Sequence, residues 1–144
     1  MRPGPILVVE DGVDEGDLIV SAIQKAELPN PIKTLRSVDQ FISYLKDLEA
    51  TTTGPFEFPA LVLLDLSLPA RSGFEALEWV RASPQFRQVP VVVFTSSRQP
   101  EDVDKAYASG ANSYLVKPSR FSELVELLKH TVKYWVRYNL SGKS

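Results

Sequence analysis

The chain has 144 residues, of which 16 are basic, 18 acidic and one a histidine, giving a formal charge of -2. That length supports one sizeable core and is short for two domains, and a composition 44% hydrophobic and 24% charged is that of a globular protein in water. The slightly acidic balance excludes the broad pull on nucleic acid that a basic protein exerts, and the lack of cysteine excludes disulfides, thiolate zinc sites and cysteine nucleophiles.

Met1-Arg2-Pro3-Gly4-Pro5 leads straight into an apolar run without a secretory pattern. Nowhere does the chain approach the ~20 apolar residues of a membrane helix. A cytoplasmic protein that touches neither membrane nor DNA is expected. The first strand is predicted at Ile6-Leu7-Val8-Val9, followed by a helical stripe of Leu18, Ile19, Ala22, Ile23 and Ala26. Ile32 to Leu35 forms the second strand. Ser37 with Gln40 reads as a capping box, opening a helix whose apolar face is Val38, Phe41, Ile42, Leu45 and Leu48. Ala50 to Pro59, with its threonines, Gly54 and two prolines, reads as the long loop of the chain. Leu61-Val62-Leu63-Leu64 is the third strand, and Phe74, Leu77 and Val80 mark its helix.

The fourth strand, Val91-Val92-Val93-Phe94, precedes a helix with Pro100 in its first turn and Gly110 as its C-terminal cap. Its stripe is Val103, Ala106 and Tyr107. Tyr114-Leu115-Val116 is the fifth strand, and Leu124, Val125, Leu128 and Val132 mark the fifth helix. Helical character then continues through Tyr134, Trp135 and Val136 to Tyr138. A helix from Phe121 to Tyr138 runs about 27 Å, against roughly 20 Å for a six-residue strand. It should overshoot the sheet and offer Tyr134, Trp135 and Tyr138 as an interface, with two-fold symmetry the default.

Strand and helix thus alternate five times, and three of the strands are apolar throughout. Both features predict an α/β fold: a five-stranded, doubly wound parallel sheet with helices on both faces and an extended C-terminal helix. A single domain over 1–144 is expected, with its core at 5–131 and a helical extension and tail at 132–144.

In such a sheet, functional groups collect at the carboxyl ends of the strands. Those ends carry Glu10 and Asp11, then Asp65, then Thr95 and Ser96, then Lys117. Three clustered carboxylates repel one another unless a cation joins them. Lys117 supplies one positive charge, and a Mg²⁺ ion, which takes oxygen ligands, would bring the group near neutrality. A metal at a carboxylate, with a hydroxyl and an ammonium alongside, is equipment for phosphoryl transfer. Asp65 would accept the phosphoryl group as an acyl phosphate, while Thr95 and Lys117 would contact its oxygens.

The blocks carrying these residues are Val8-Val9-Glu10-Asp11, Leu64-Asp65-Leu66-Ser67-Leu68-Pro69 with Gly73, Thr95-Ser96, and Gly110-Ala111 leading to Tyr114-Leu115-Val116-Lys117-Pro118. In this order and spacing they resemble the two-component response-regulator receiver domain, over residues 5 to about 131. The resemblance implies a flavodoxin-like (βα)5 fold with Asp65 as phosphoacceptor. It implies Mg²⁺ on Glu10, Asp11, Asp65 and the backbone carbonyl of Ser67. It makes Thr95 the switch hydroxyl, Lys117 the phosphate-contacting lysine and Tyr114 the aromatic that swings inward on activation. It also implies a cis Lys117–Pro118 bond and a sensor histidine kinase as partner. Glu10 departs from the pattern, since Asp is commoner there. The long loop, the Asp-Leu-Ser-Leu-Pro block and the aromatic C-terminal extension resemble, more narrowly, single-domain regulators paired with phytochrome-type kinases. That subgroup implies a homodimer through the last helix.

Asp14, Glu15 and Asp17 read as an exposed acidic first turn, and their spacing is not that of an EF-hand loop. His130, late in the last helix, reads as a surface or packing residue, so the phosphoryl group must come from elsewhere. The rival function is an aspartyl-phosphate phosphatase of the haloacid-dehalogenase type. That class needs a second Asp two residues after the nucleophile as proton donor, and Ser67 stands there. A flavodoxin-like nucleotide binder is the third reading, but no phosphate-cradling glycine loop follows the first strand. The expectation is therefore a phosphoacceptor without separate substrate turnover.

Overall fold

A computed structural model describes residues 3–51, 57–140 and 142. In chain order it contains β1 (Ile6–Val9), α1 (Val13–Gln24), β2 (Ile32–Leu35), α2 (Val38–Thr51), β3 (Leu61–Leu64), α3 (Gly73–Ala82), β4 (Val91–Thr95), α4 (Pro100–Ala108), β5 (Ser113–Val116) and α5 (Phe121–Val132). A π-helical stretch, Lys133–Tyr138, continues α5 without a break. The strands pair in parallel in the order β2-β1-β3-β4-β5. Chain direction across the sheet therefore reverses beside β1, the kind of switch point at which α/β sheets place their sites.

The apolar runs are strands because both of their faces are covered. Leu7, Val9, Val62, Leu64, Val91 and Val93 face one core, built with Val38, Phe41 and Leu45 of α2 and Ala76, Leu77 and Val80 of α3. Ile6, Val8, Leu61, Leu63, Val92 and Phe94 face the other, built with Ile19, Ala22 and Ile23 of α1 and Leu124, Val125 and Leu128 of α5. Alternation with period two persists, but with an apolar layer on each side it shows as a continuous run.

Three residues expected in the helical stripes, Leu18, Val103 and Tyr107, lie outside the cores. Leu18 is 48% exposed and Tyr107 is 49% exposed. Leu18 and Tyr107 each sit one position, about 100°, from a buried residue, Ile19 and Ala106, and that step carries them past the edge of the buried stripe. The capping box is also modified. Ser37 Oγ accepts from Gln40 N–H at 3.1 Å, but the Gln40 side chain accepts from Arg36 N–H rather than from its own cap. The expected loop at Ala50 to Pro59 begins later, because α2 runs through Thr51; residues 52–56 lie outside the described residues.

Gly110 caps α4 as expected. Its φ of 110° is accessible to glycine alone at little cost, and the Ala111 and Gly110 amides return to the Ala106 and Tyr107 carbonyls at 3.0 and 3.1 Å, a Schellman pattern. Beneath it lies Arg81, which the sequence reading did not single out. Its guanidinium donates to the Gly110, Arg87 and Val89 carbonyls and to Asn112 Oδ1, all within 2.9 Å. That group fastens α3 to the turns before β4 and β5, at the amino ends of the strands.

At the C-terminus, Val132 and Val136 are fully buried and Trp135 packs against the α1–α5 core. Tyr134 and Tyr138 are 52% and 66% exposed. The three aromatics expected to form one surface are therefore divided, with Trp135 serving the protein's own core as well.

Candidate functional site

Strand register builds the site. Val9 pairs with Leu35 and with Leu64, Leu64 with Val93, and Thr95 with Val116. The residues that follow or end these strands, Glu10, Asp65, Thr95 and Lys117, therefore emerge on one rim. Backbone bonds hold the strand ends there: Glu10 N–H to Leu35 O, Asp65 N–H to Val9 O, and Lys117 N–H to Thr95 O, at 2.9, 3.1 and 2.8 Å.

Glycine allows the loop after β3 to close over this rim. A Cβ on Gly73 would lie 2.4 Å from the Asp65 carbonyl oxygen and 2.9 Å from Leu66 Cα, while Gly73 N–H donates to Leu66 O at 3.0 Å. The start of α3 thus presses directly on the backbone of the central carboxylate.

Asp65 is buried, and donors meet both its oxygens. Oδ1 accepts from the Ser67 amide at 3.1 Å and the Thr95 hydroxyl at 3.0 Å, and Oδ2 accepts from Lys117 Nζ at 3.0 Å. Glu10 is also buried; its Oε1 accepts from Lys117 Nζ at 2.7 Å and its Oε2 from Gly12 N–H at 3.1 Å. Carboxylate oxygens of Glu10, Asp11 and Asp65 can all lie within 4.8 Å of one another. Asp11 is the exposed member.

Burial pushes the Glu10 carboxyl above its ordinary value, against the opposing pull of Lys117 and the Gly12 amide. For Lys117, burial acts downward, but hydrogen bonds to Glu10 and Glu15 and the charge of Asp65 outweigh it. The ammonium is held well above the ordinary lysine value. It remains charged across the physiological range.

The partner missed in the sequence is Glu15. Its carboxylate stands 2.6 Å from Lys117 Nζ, whereas the residue was expected to be merely part of an exposed acidic turn. Lys117 lies far along the chain, so no local spacing could have revealed the pair. The Lys117–Pro118 peptide, expected to be cis, is trans. Trans is the lower-energy X–Pro isomer by ~0.5–1 kcal/mol, and in that form Lys117 reaches all of its carboxylate partners.

Tyr114 stands apart from the carboxylates, packed against the α2–α3 core with its hydroxyl donating to Ser97 O at 3.0 Å. His130 is remote and exposed, 3.6 Å from Glu126. Tyr134, Trp135 and Tyr138 follow α5 toward the opposite end of the sheet.

The donor set fits a hard divalent cation: three carboxylates converge, at least two of them buried, with a net negative charge that one lysine does not balance. No described helix is long and apolar enough to cross a membrane.

Comparison with known proteins agrees with this geometry. The family described as the response regulator receiver domain matches residues 6–129. The chain is 36% identical over 139 residues to a probable methanogenesis regulatory protein, FilR2 of Methanothrix harundinacea, covering 96% of this chain and 88% of that protein. It is 28% identical over 134 residues to response regulator Rcp1 of Synechocystis, covering 93% and 90%; the Mn²⁺-bound crystal structure of Rcp1 superposes with a TM-score of 0.84. The crystal structure of the phosphorylated cyanobacterial phytochrome response regulator RcpA superposes with a TM-score of 0.86 at 27% identity, covering 99% of this chain and 100% of that one.

Proposed function

The chain belongs to the response regulator receiver family, and we propose from that premise that it accepts a phosphoryl group from a sensor histidine kinase on Asp65. The observation that carries this reading is the pair of donors already on Asp65, the Thr95 hydroxyl at 3.0 Å and the Lys117 ammonium at 3.0 Å. An oxygen of Asp65 bonds to phosphorus as the P–N bond to the donor imidazole breaks, the nitrogen keeping the electron pair. The two donors then pass from the carboxylate to the phosphoryl oxygens, where negative charge concentrates.

Glu10, Asp11, Asp65 and the Ser67 carbonyl would hold Mg²⁺, which supplies neutralisation of the equatorial phosphoryl oxygens. When Thr95 turns toward the phosphoryl group, Tyr114 gains room to leave Ser97 and move inward. That two-state packing element would change the surface around α4, β5 and α5 and so switch protein contacts.

A protein donor suits the mouth of the site. Leu18 and Phe121 are exposed and line a pocket shared with Lys117, Arg120 and Leu124, an apolar rim that a small phosphodonor would not use. His130 is too remote to be the donor. The likeness to phytochrome response regulators supports a phytochrome-type kinase as partner, and the exposed rings of Tyr134 and Tyr138 support a homodimer through them and the edge of Trp135. We place the protein in the cytoplasm, acting as one receiver unit with its core at 5–131 and the helical extension beyond, without DNA binding or separate substrate turnover.

Incubation with autophosphorylated phytochrome-type and other histidine kinases in Mg²⁺ tests the reading. Label should move to the wild type and not to Asp65→Asn. Equal labelling of the variant would overturn it.

A further inference from the structure

Lys117 has three N–H donors and a carboxylate for each: Glu10 at 2.7 Å, Glu15 at 2.6 Å and Asp65 at 3.0 Å. Two of these acceptors are buried and belong to the converging group with Asp11. Glu15 does not belong to that group, and its side chain is 47% exposed.

A cation held by all three carboxylates of the group draws on Glu10. Both Glu10 oxygens are already engaged, Oε1 by Lys117 and Oε2 by the Gly12 amide. Cation and ammonium would then share the Glu10 carboxylate and repel each other across a short, poorly screened gap. An ammonium pushed off Glu10 while only 9% exposed must keep other partners, because an unpaired buried charge is costly.

We infer that Glu15 is a positioning residue: it retains Lys117 when a divalent cation takes Glu10. The inference rests on reading Glu10, Asp11 and Asp65 as a cation site. From the first turn of α1, Glu15 is free on its solvent side to follow the ammonium outward. It thereby lowers the cost of cation entry while keeping Lys117 within reach of Asp65. Glu15 ligates nothing itself; it acts through Lys117.

Calorimetric titration with Mn²⁺, without any phosphodonor, tests this. Glu15→Ala should raise the Mn²⁺ Kd about two- to fivefold, the range set by one partly exposed ion pair. Made in a Lys117→Met background, the same change should leave the Kd of that parent unaltered. Asp14→Asn, which removes a neighbouring charge that has no lysine contact, should also leave the wild-type Kd unaltered at physiological ionic strength. Melting curves check that every variant folds; if Lys117→Met does not, the Asp14→Asn comparison still decides. An unchanged Kd in Glu15→Ala overturns the inference, as does an equal rise with and without Lys117, or an equal rise in Asp14→Asn. Failure of the wild type to bind Mn²⁺ would instead overturn the cation-site reading beneath it.

Discussion

Replacing Gly73 by alanine probes how closely the fold is built around Asp65. In an ordinary helix, Gly→Ala stabilises by roughly 0.5–1 kcal/mol because the unfolded glycine has more freedom to lose. At position 73 the new Cβ would sit 2.4 Å from the Asp65 carbonyl oxygen, 2.9 Å from Leu66 Cα and 3.2 Å from the Asp65 carbonyl carbon. All three are backbone atoms, so no side chain can swing aside. Relief needs a backbone shift of about 1 Å, and overpacking of that kind costs typically 1–3 kcal/mol. Gly73→Ala should therefore destabilise by about 1–2 kcal/mol net, lowering Tm by a few degrees, and displace the Asp65 carboxylate from Thr95 and Lys117. Gly16 in α1 is the control, since a Cβ there meets only Thr34 Cγ2 at 3.7 Å and Glu10 Cγ at 3.9 Å. Gly16→Ala should be neutral or stabilising by up to ~1 kcal/mol. Urea unfolding gives both differences, and acetyl phosphate labelling reports on the site. Equal stability of the two variants, or full labelling of Gly73→Ala, would refute the packing argument.

Three further outcomes are expected. Since burial raises Glu10 above its ordinary value, the folded protein takes up that proton more readily than the unfolded chain. The stability of cation-free wild type relative to Glu10→Gln should thus fall as pH rises from the ordinary carboxylate value through the raised one, and a pH series of melting curves in chelator checks it. Arg81→Met should cost about 1–3 kcal/mol by stranding the part-buried Gly110 and Val89 carbonyls, yet leave labelling intact, because the guanidinium sits at the amino ends of the strands; denaturation and labelling of one preparation separate the two. Tyr134→Ser with Tyr138→Ser should weaken the proposed homodimer by light scattering while the chain stays folded, as both rings are largely exposed.

The strands were legible because burial on both faces leaves no polar residue within β1 and β3 and only the terminal Thr95 in β4, and their ends named Glu10, Asp65, Thr95 and Lys117 directly. Helix faces were legible to within one position: spacing cannot decide between Leu18 and Ile19, whereas the sheet can. Contacts between distant segments were not legible. Glu15 lies 2.6 Å from Lys117 and Arg81 lies 2.8 Å from Asn112, and nothing local to either residue signals the pair. Nor could composition divide Trp135 from Tyr134, since that depends on how the π-helical turn lays Val136 against the core.

If Asp65 itself carries the phosphoryl group, reductive trapping will locate it there. Borohydride converts an acyl phosphate to the corresponding alcohol, so protein labelled in Mg²⁺ and then reduced should yield homoserine at position 65 and nowhere else when its peptides are sequenced by mass spectrometry. Homoserine at another acidic position, or label that survives without any reducible acyl phosphate, would contradict the account.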